Sequence, residues 1–147
     1  MSNLNPENKC AQLFSDDIPK LNDPIVDMFK MQASLQAHLA ATGRALDYTT
    51  ASHKQKVDDL SKQWRNMTLE FSELLERLPF KEWKTYSPEV LMGFKDDADR
   101  LETYYEYIDM FHFFMNMGLA LGIDGETFEK LYVSKNKENF DRQARGY

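Results

Sequence analysis

Apolar positions recur along this chain at helical spacing, and no stretch alternates with period two. Ile25, Met28, Phe29, Leu35 and Leu39 form one stripe. Asp23-Pro24 opens it, an N-cap followed by proline in the first turn, and Gly43 closes it. Val57, Leu60, Trp64, Met67, Phe71, Leu74, Leu75 and Leu78 form a second stripe, predicting a helix from about Ser52 to Leu78 that Pro79 ends. After a short segment, Phe80 to Tyr86, Ser87-Pro88-Glu89 opens a further helical region in the same way, with Gly93 as a break. A long helix follows from about Asp97 to Leu121 and stops at Gly122; Asp124 caps a last one, from about Gly125 to Phe140. The pattern predicts an all-α fold, a compact bundle of four to five helices. Residues 1–22, polar and broken by Pro6 and Pro19, read as a loose arm before a single domain over 23–147.

Composition narrows the function classes. The hydrophobic fraction of 42% is enough for a core and argues against disorder. A formal charge of −6 is wrong for non-specific nucleic-acid binding, which needs a basic surface, so no nucleic-acid partner is expected. The longest apolar stretch, Ile108 to Ile123, is short for a membrane span and contains Asp109, His112 and Asn116. The N-terminal MSNLNPENK has no apolar signal region, and the one cysteine, Cys10, suits a reducing compartment. A soluble cytoplasmic protein is expected.

The candidate chemistry lies in the carboxylates. Glu70 and Glu73 are three apart and share a helix face, which Glu76 continues. Glu102, Glu106 and Asp109 do the same on the long helix. Two facing helices that each project such a pair would make an oxygen cage suited to a hard cation such as Mg²⁺. Glu73 and Glu76 alone read equally as a solvated face. Glu106 and Asp109 stand among Tyr104, Tyr105, Tyr107, Ile108, Met110 and Phe111, so they are expected to point into the bundle or a cleft. His112 could join Asp109 at a metal, but a di-iron bundle needs a Glu-x-x-His from each of two helices, and the Glu70 helix has no such histidine. His112 is therefore read as a core or supporting histidine, and His38 and His53 as surface.

The C-terminal KNKENFDRQARGY is locally basic in an acidic chain. Cations near a helix C-terminus complement its dipole, which is a sufficient structural reason for them. Lys135, Asn139 and Arg142 also fall on one stripe, offering a point charge, an amide and a guanidinium fork to phosphate oxygens.

Taken in order, these segments resemble the all-α NTP pyrophosphohydrolases, and within them the dimeric dUTPase group, most of all its bacteriophage members. The motifs are Glu70-Phe71-Ser72-Glu73, Pro79-Phe80-Lys81-Glu82-Trp83-Lys84, Glu106-Tyr107-Ile108-Asp109 with the following Met110-Phe111-His112-Phe113, and the tail from Leu131-Tyr132 through Arg142-Gln143 to Gly146-Tyr147. The likeness covers roughly Pro24 to Tyr147.

The resemblance implies a homodimeric enzyme that hydrolyses dCTP, dUTP or both to the monophosphate and pyrophosphate. It implies that Glu70, Glu73, Glu106 and Asp109 bind two or more Mg²⁺ ions, with Mn²⁺ as a substitute, and that Glu70 or Glu73 orients the attacking water. It assigns Lys135, Asn136, Asn139, Arg142 and Lys84 to phosphate or sugar. Gln32, Gln36 and Trp83 would form the base pocket, although Trp83 reads equally as core and both glutamines as plain helix surface. The group tends to carry Asn where this chain has Gln36. A carboxamide can present oxygen or nitrogen, so a Gln there would accept cytosine as well as uracil. The alternatives are a dUTP-only enzyme, a MazG-like hydrolase of broader choice, and a non-catalytic helical interaction protein.

Overall fold

A computed structural model describes residues 20–146, and every regular element among them is a helix. α1 spans Pro24–Ala41, α2 His53–Glu76, α3 Pro88–Met92, α4 Asp97–Ala120 and α5 Gly125–Ala144. The expected all-α fold is what forms. Most of the expected N-terminal arm, with Cys10, lies outside the described residues.

Local chemistry sets the helix ends. The Asp23 carboxylate accepts from the Val26 N–H at 3.2 Å, with Pro24 in the first turn. Ser52 and Gln55 form a reciprocal capping box: the Ser52 N–H donates to Gln55 Oε1 at 2.8 Å, and the Gln55 N–H donates to Ser52 Oγ at 3.2 Å. Asp124 accepts from the Thr127 N–H at 2.8 Å. α1 and α4 end alike. Gly43 has φ 71° and Gly122 φ 80°. The next N–H in each case (Arg44, Ile123) reaches back to Leu39 O at 2.9 Å or Gly118 O at 2.8 Å, the Schellman closure that a left-handed glycine permits. α5 runs past the expected Phe140 to Ala144, because KENFDRQA holds no breaker before Gly146.

The described chain forms two compact units. One contains Trp64–Phe113 with Lys20, the other Leu21–Gln63 and the residues from Phe114 onward. In the first unit Leu101 and Thr103 are buried, and Phe94 packs edge-on to Tyr104 with ring centroids 5.9 Å apart. In the second, α1 lies against α5. A Cβ on Gly125 would sit 2.5 Å from the Val26 Cα, so only glycine lets α5 begin that close to the α1 backbone. Phe29 packs on Phe128 at 5.3 Å, and Phe128 meets Phe114 edge-on at 6.1 Å.

Burial departs from the apolar stripes. On α1 Phe29 is buried, but so are Gln32 and Gln36, while Leu35 is exposed. On α2 Val57, Trp64 and Phe71 are exposed, and the buried positions are Asp59 and Gln63. The buried polar groups satisfy one another in a chain. Tyr48 OH and Gln63 Nε2 donate to Asp59 Oδ2 at 2.5 and 3.0 Å, Asn116 Nδ2 donates to Gln63 Oε1 at 3.2 Å, and Gln32 Nε2 donates to Asn116 Oδ1 at 2.8 Å. This polar thread joins α1, α2, α4 and the 42–52 connection within one unit. Satisfied in this way, buried polar groups do not carry the desolvation penalty of unpaired ones.

Candidate active site

Glu70 on α2 and Glu106 and Asp109 on α4 converge in the first unit. Each offers an oxygen within 4.8 Å of the others, and they are the group of this kind among the described residues. Glu70 and Glu106 are half-buried and Asp109 is exposed. Of the two α4 carboxylates expected to point into the bundle or a cleft, Asp109 is exposed yet still meets Glu70 and Glu106. Tyr104, Tyr105, Tyr107 and Ile108 are themselves exposed, so apolar neighbours in sequence do not enclose it.

Charge is concentrated here. Burial, then the negative charges of Glu73, Asp109 and Glu106, push the Glu70 carboxyl up from its ordinary value. Burial raises Asp109 as well; His112 opposes that shift and Glu106 adds to it. Glu73 is exposed and acts on Glu70 through its charge, outside the three-carboxylate group. Three hard oxygen donors this close together, with Glu70 and Asp109 pushed up first by burial and then by neighbouring negative charge, fit a divalent cation.

Sequence reasoning missed Arg77, one residue beyond α2. Its Nε donates to Glu106 Oε1 at 3.2 Å, and its terminal nitrogens lie 3.6 Å from Glu102 and 3.9 Å from Asp99. Asp99, Glu102 and Glu106 repeat along one α4 face, a spacing that could have signalled a cation partner.

Trp83 is 82% exposed, which removes the core reading. Lys84 Nζ sits 5.4 Å from the Tyr86 ring centroid. In the second unit, Gln32 and Gln36 are each 4% exposed, so the plain-surface reading fails for both. Gln36 Nε2 donates to Leu46 O at 2.8 Å, and its amide borders a cavity of about 290 Å³ lined by apolar Ala33, Ala37, Leu46 and Leu119 and by polar Asp47, Tyr48, Thr49 and Lys56. On α5, Asn136, Asn139, Phe140, Arg142 and Gln143 line an open hollow of about 470 Å³. Arg142 and Arg145 share Glu138, at 3.2 and 3.0 Å. Lys135 instead borders an apolar hollow with Phe29, Phe114 and Phe128.

Comparison with known proteins agrees with this chemistry. The dUTPase family model matches residues 24–126, ending before Lys135. The chain is 31% identical to a dCTP pyrophosphatase of Enterobacteria phage LZ5, over 95% of this chain and 92% of the relative. It is 30% identical to a dCTP pyrophosphatase of Enterobacteria phage T4, over 95% of this chain and 98% of the relative. It is also 28% identical to a DNA replication protein of phage T4, over 88% of this chain but 40% of that relative. No solved structure matches it significantly. No helix among the described residues is long and apolar enough to cross a membrane. Matched by the family model across most of its length, and sharing about three residues in ten with two phage pyrophosphatases over nearly all of it, the chain belongs to the dUTPase family and is a nucleoside triphosphate pyrophosphohydrolase.

Proposed function

We propose that residues 23–147 form one Mg²⁺-dependent hydrolase that converts dCTP and dUTP to the monophosphate and pyrophosphate, adjusting pyrimidine nucleotide pools for phage DNA synthesis in the host cytoplasm. The observation that carries this is the convergence of Glu70, Glu106 and Asp109 within 4.8 Å in a chain similar to two dCTP pyrophosphatases.

In this reading Glu70, Glu106 and Asp109, with Glu73 beside them, hold the metal. When bound there, Mg²⁺ supplies charge neutralisation for the triphosphate and acidifies a water molecule. Glu70, whose carboxyl keeps its proton more firmly than an ordinary glutamate, is suited to accept a hydrogen bond from the attacking water and orient it for in-line attack on phosphorus. Arg142, Asn139, Asn136, Lys135 and Lys84 provide donors to phosphate and sugar oxygens, and Trp83 offers an exposed ring face to the substrate. Gln36 reads the base: the cavity it borders joins apolar walls to a few polar groups, Gln36, Asp47, Tyr48, Thr49 and Lys56, a lining that suits a pyrimidine ring with a hydrogen-bonding edge. Gln32, held by Asn116, supports it.

The enzyme works as a homodimer. Apolar side chains such as Met31, Leu69 and Tyr107 are more than 60% exposed in the single chain, and a second copy would cover them.

The deciding test is pyrophosphate release from the common dNTPs and dUTP, with Mg²⁺ and then EDTA. Release from dCTP and dUTP alone, abolished by EDTA, is expected; release that survives EDTA, or none from either, refutes the proposal. A kcat/KM preference for dUTP beyond about a thousand-fold, or about 4 kcal/mol of discrimination, would restrict the enzyme to dUTP. Light scattering at micromolar concentration checks the dimer.

A further inference from the structure

Arg77 touches the carboxylate group directly, through Glu106. Its position just past the end of α2 has an ordinary explanation, because cations there complement the helix dipole. That explanation does not require the side chain to reach across to α4. It does reach across, and it meets Asp99, Glu102 and Glu106 on one face, the shortest contact being Nε to Glu106 Oε1 at 3.2 Å. The contact is half-shielded: the Arg77 and Glu106 side chains are 31% and 16% exposed. Screening by solvent is therefore weaker than for the surface pair Lys54–Asp58.

Glu106 stands between Arg77 and two like charges. Glu70 and Asp109 repel its carboxylate and favour rotamers that move it away. The guanidinium fork opposes that motion and takes one carboxylate oxygen, and a carboxylate can still offer its other oxygen elsewhere. We propose that Arg77 is a positioning residue for the metal site: it holds Glu106 aimed at Glu70 and Asp109, so that the oxygen donors are in place before a divalent cation arrives. This rests on the metal reading of the proposed function and assigns it an organising residue.

The sign of the effect separates positioning from simple charge. A guanidinium acting only as a positive charge would weaken cation binding, so Arg77→Gln would tighten it. A guanidinium that pre-forms the site would strengthen binding, so Arg77→Gln would weaken it, and Arg77→Lys would too, because an ammonium cannot make the fork. Losing an outer partner of a metal ligand typically lowers affinity about 10–100-fold.

The experiment is isothermal titration of the nucleotide-free full chain with MnCl₂ and MgCl₂, for wild type, Arg77→Gln and Arg77→Lys, with a thermal melt of each metal-free protein. The expected result is metal Kd raised about 10–100-fold in both variants. Unchanged or tighter binding in folded variants overturns the inference, and so does a lowered melting temperature with unchanged Kd, which marks Arg77 as a structural staple only. If Arg77→Gln does not fold, Arg77→Lys decides. No binding to wild type overturns the metal reading itself and this inference with it, a result distinct from failure of Arg77 alone.

Discussion

Replacing Asn116 should expose how much of this fold depends on its buried polar thread. Asn116 is 6% exposed and joins Gln32 to Gln63, which are 4% and 5% exposed. The thread has a direction. Asp59, as a carboxylate, accepts only, so Gln63 must give it Nε2 and turn Oε1 toward Asn116. Asn116 must then donate Nδ2 and turn Oδ1 toward Gln32. Asn116→Leu keeps the branched shape, at a larger volume, but removes both bonds. Each buried polar group that loses its partner costs about 1–3 kcal/mol, and the added apolar burial returns about 1–2 kcal/mol. With two groups orphaned the net loss spans roughly 0–5 kcal/mol and centres on about 2.5 kcal/mol, or about 5–10 °C in Tm for a chain of this size. Asn116→Asp is nearly isosteric and should lose as much, because it sets an acceptor against Gln63 Oε1. Asp59→Asn restores a donor at the far end and lets Gln63 turn over, so the double variant Asp59→Asn/Asn116→Asp should lose less than the sum of the two. Urea unfolding followed by circular dichroism, at one fixed protein concentration, measures all four proteins. Single variants within about 0.5 kcal/mol of wild type, or a strictly additive cycle, would refute both the energetic weight and the direction of the thread.

Other consequences are open to simpler measurement. Gly125→Ala forces a Cβ to 2.5 Å from the Val26 Cα and should destabilise by about 1–3 kcal/mol, whereas Gly43→Ala meets no atom within 4 Å and carries only the backbone strain of φ 71°, about 1 kcal/mol. Paired thermal melts check that order. Burial, and then the Asp59 hydrogen bond, hold the Tyr48 phenol far above the usual tyrosine range. The folded state therefore binds more protons than the unfolded one above pH about 10, and stability should fall as pH rises beyond that point. Tyr48→Phe should flatten this alkaline slope while losing about 1.5–3 kcal/mol at neutral pH, the worth of a hydrogen bond to a charged group. Asp109→Asn and Glu70→Gln should each reduce pyrophosphate release by more than about 100-fold, beyond what an outer partner costs, with little change in melting temperature. Activity retained in either variant would remove that carboxylate from the site.

What could be read from the sequence was local. Asp23-Pro24, Asp124, Gly43 and Gly122 bound their helices through bonds between residues three to five apart, so composition and spacing sufficed. The pairs Glu70/Glu73 and Glu106/Asp109 were equally legible, because three-residue spacing on a helix puts two carboxylates on one face whatever surrounds them. Which of them meet was not legible. Glu70, Glu106 and Asp109 come within 4.8 Å while Glu73 stays outside, a matter of how the second half of α2 lies against α4. Arg77 was invisible for the same reason, since its partners lie 22 to 29 residues away. The apolar stripes misled about burial: Val57, Trp64 and Phe71 face outward, whereas Asp59, Gln63, Gln32 and Gln36 lie inside. Periodicity tells which residues share a face. Which face is buried depends on the partner it meets, and a polar face can be buried when, as with Asp59, Gln63, Asn116 and Gln32, distant residues supply the matching donors and acceptors.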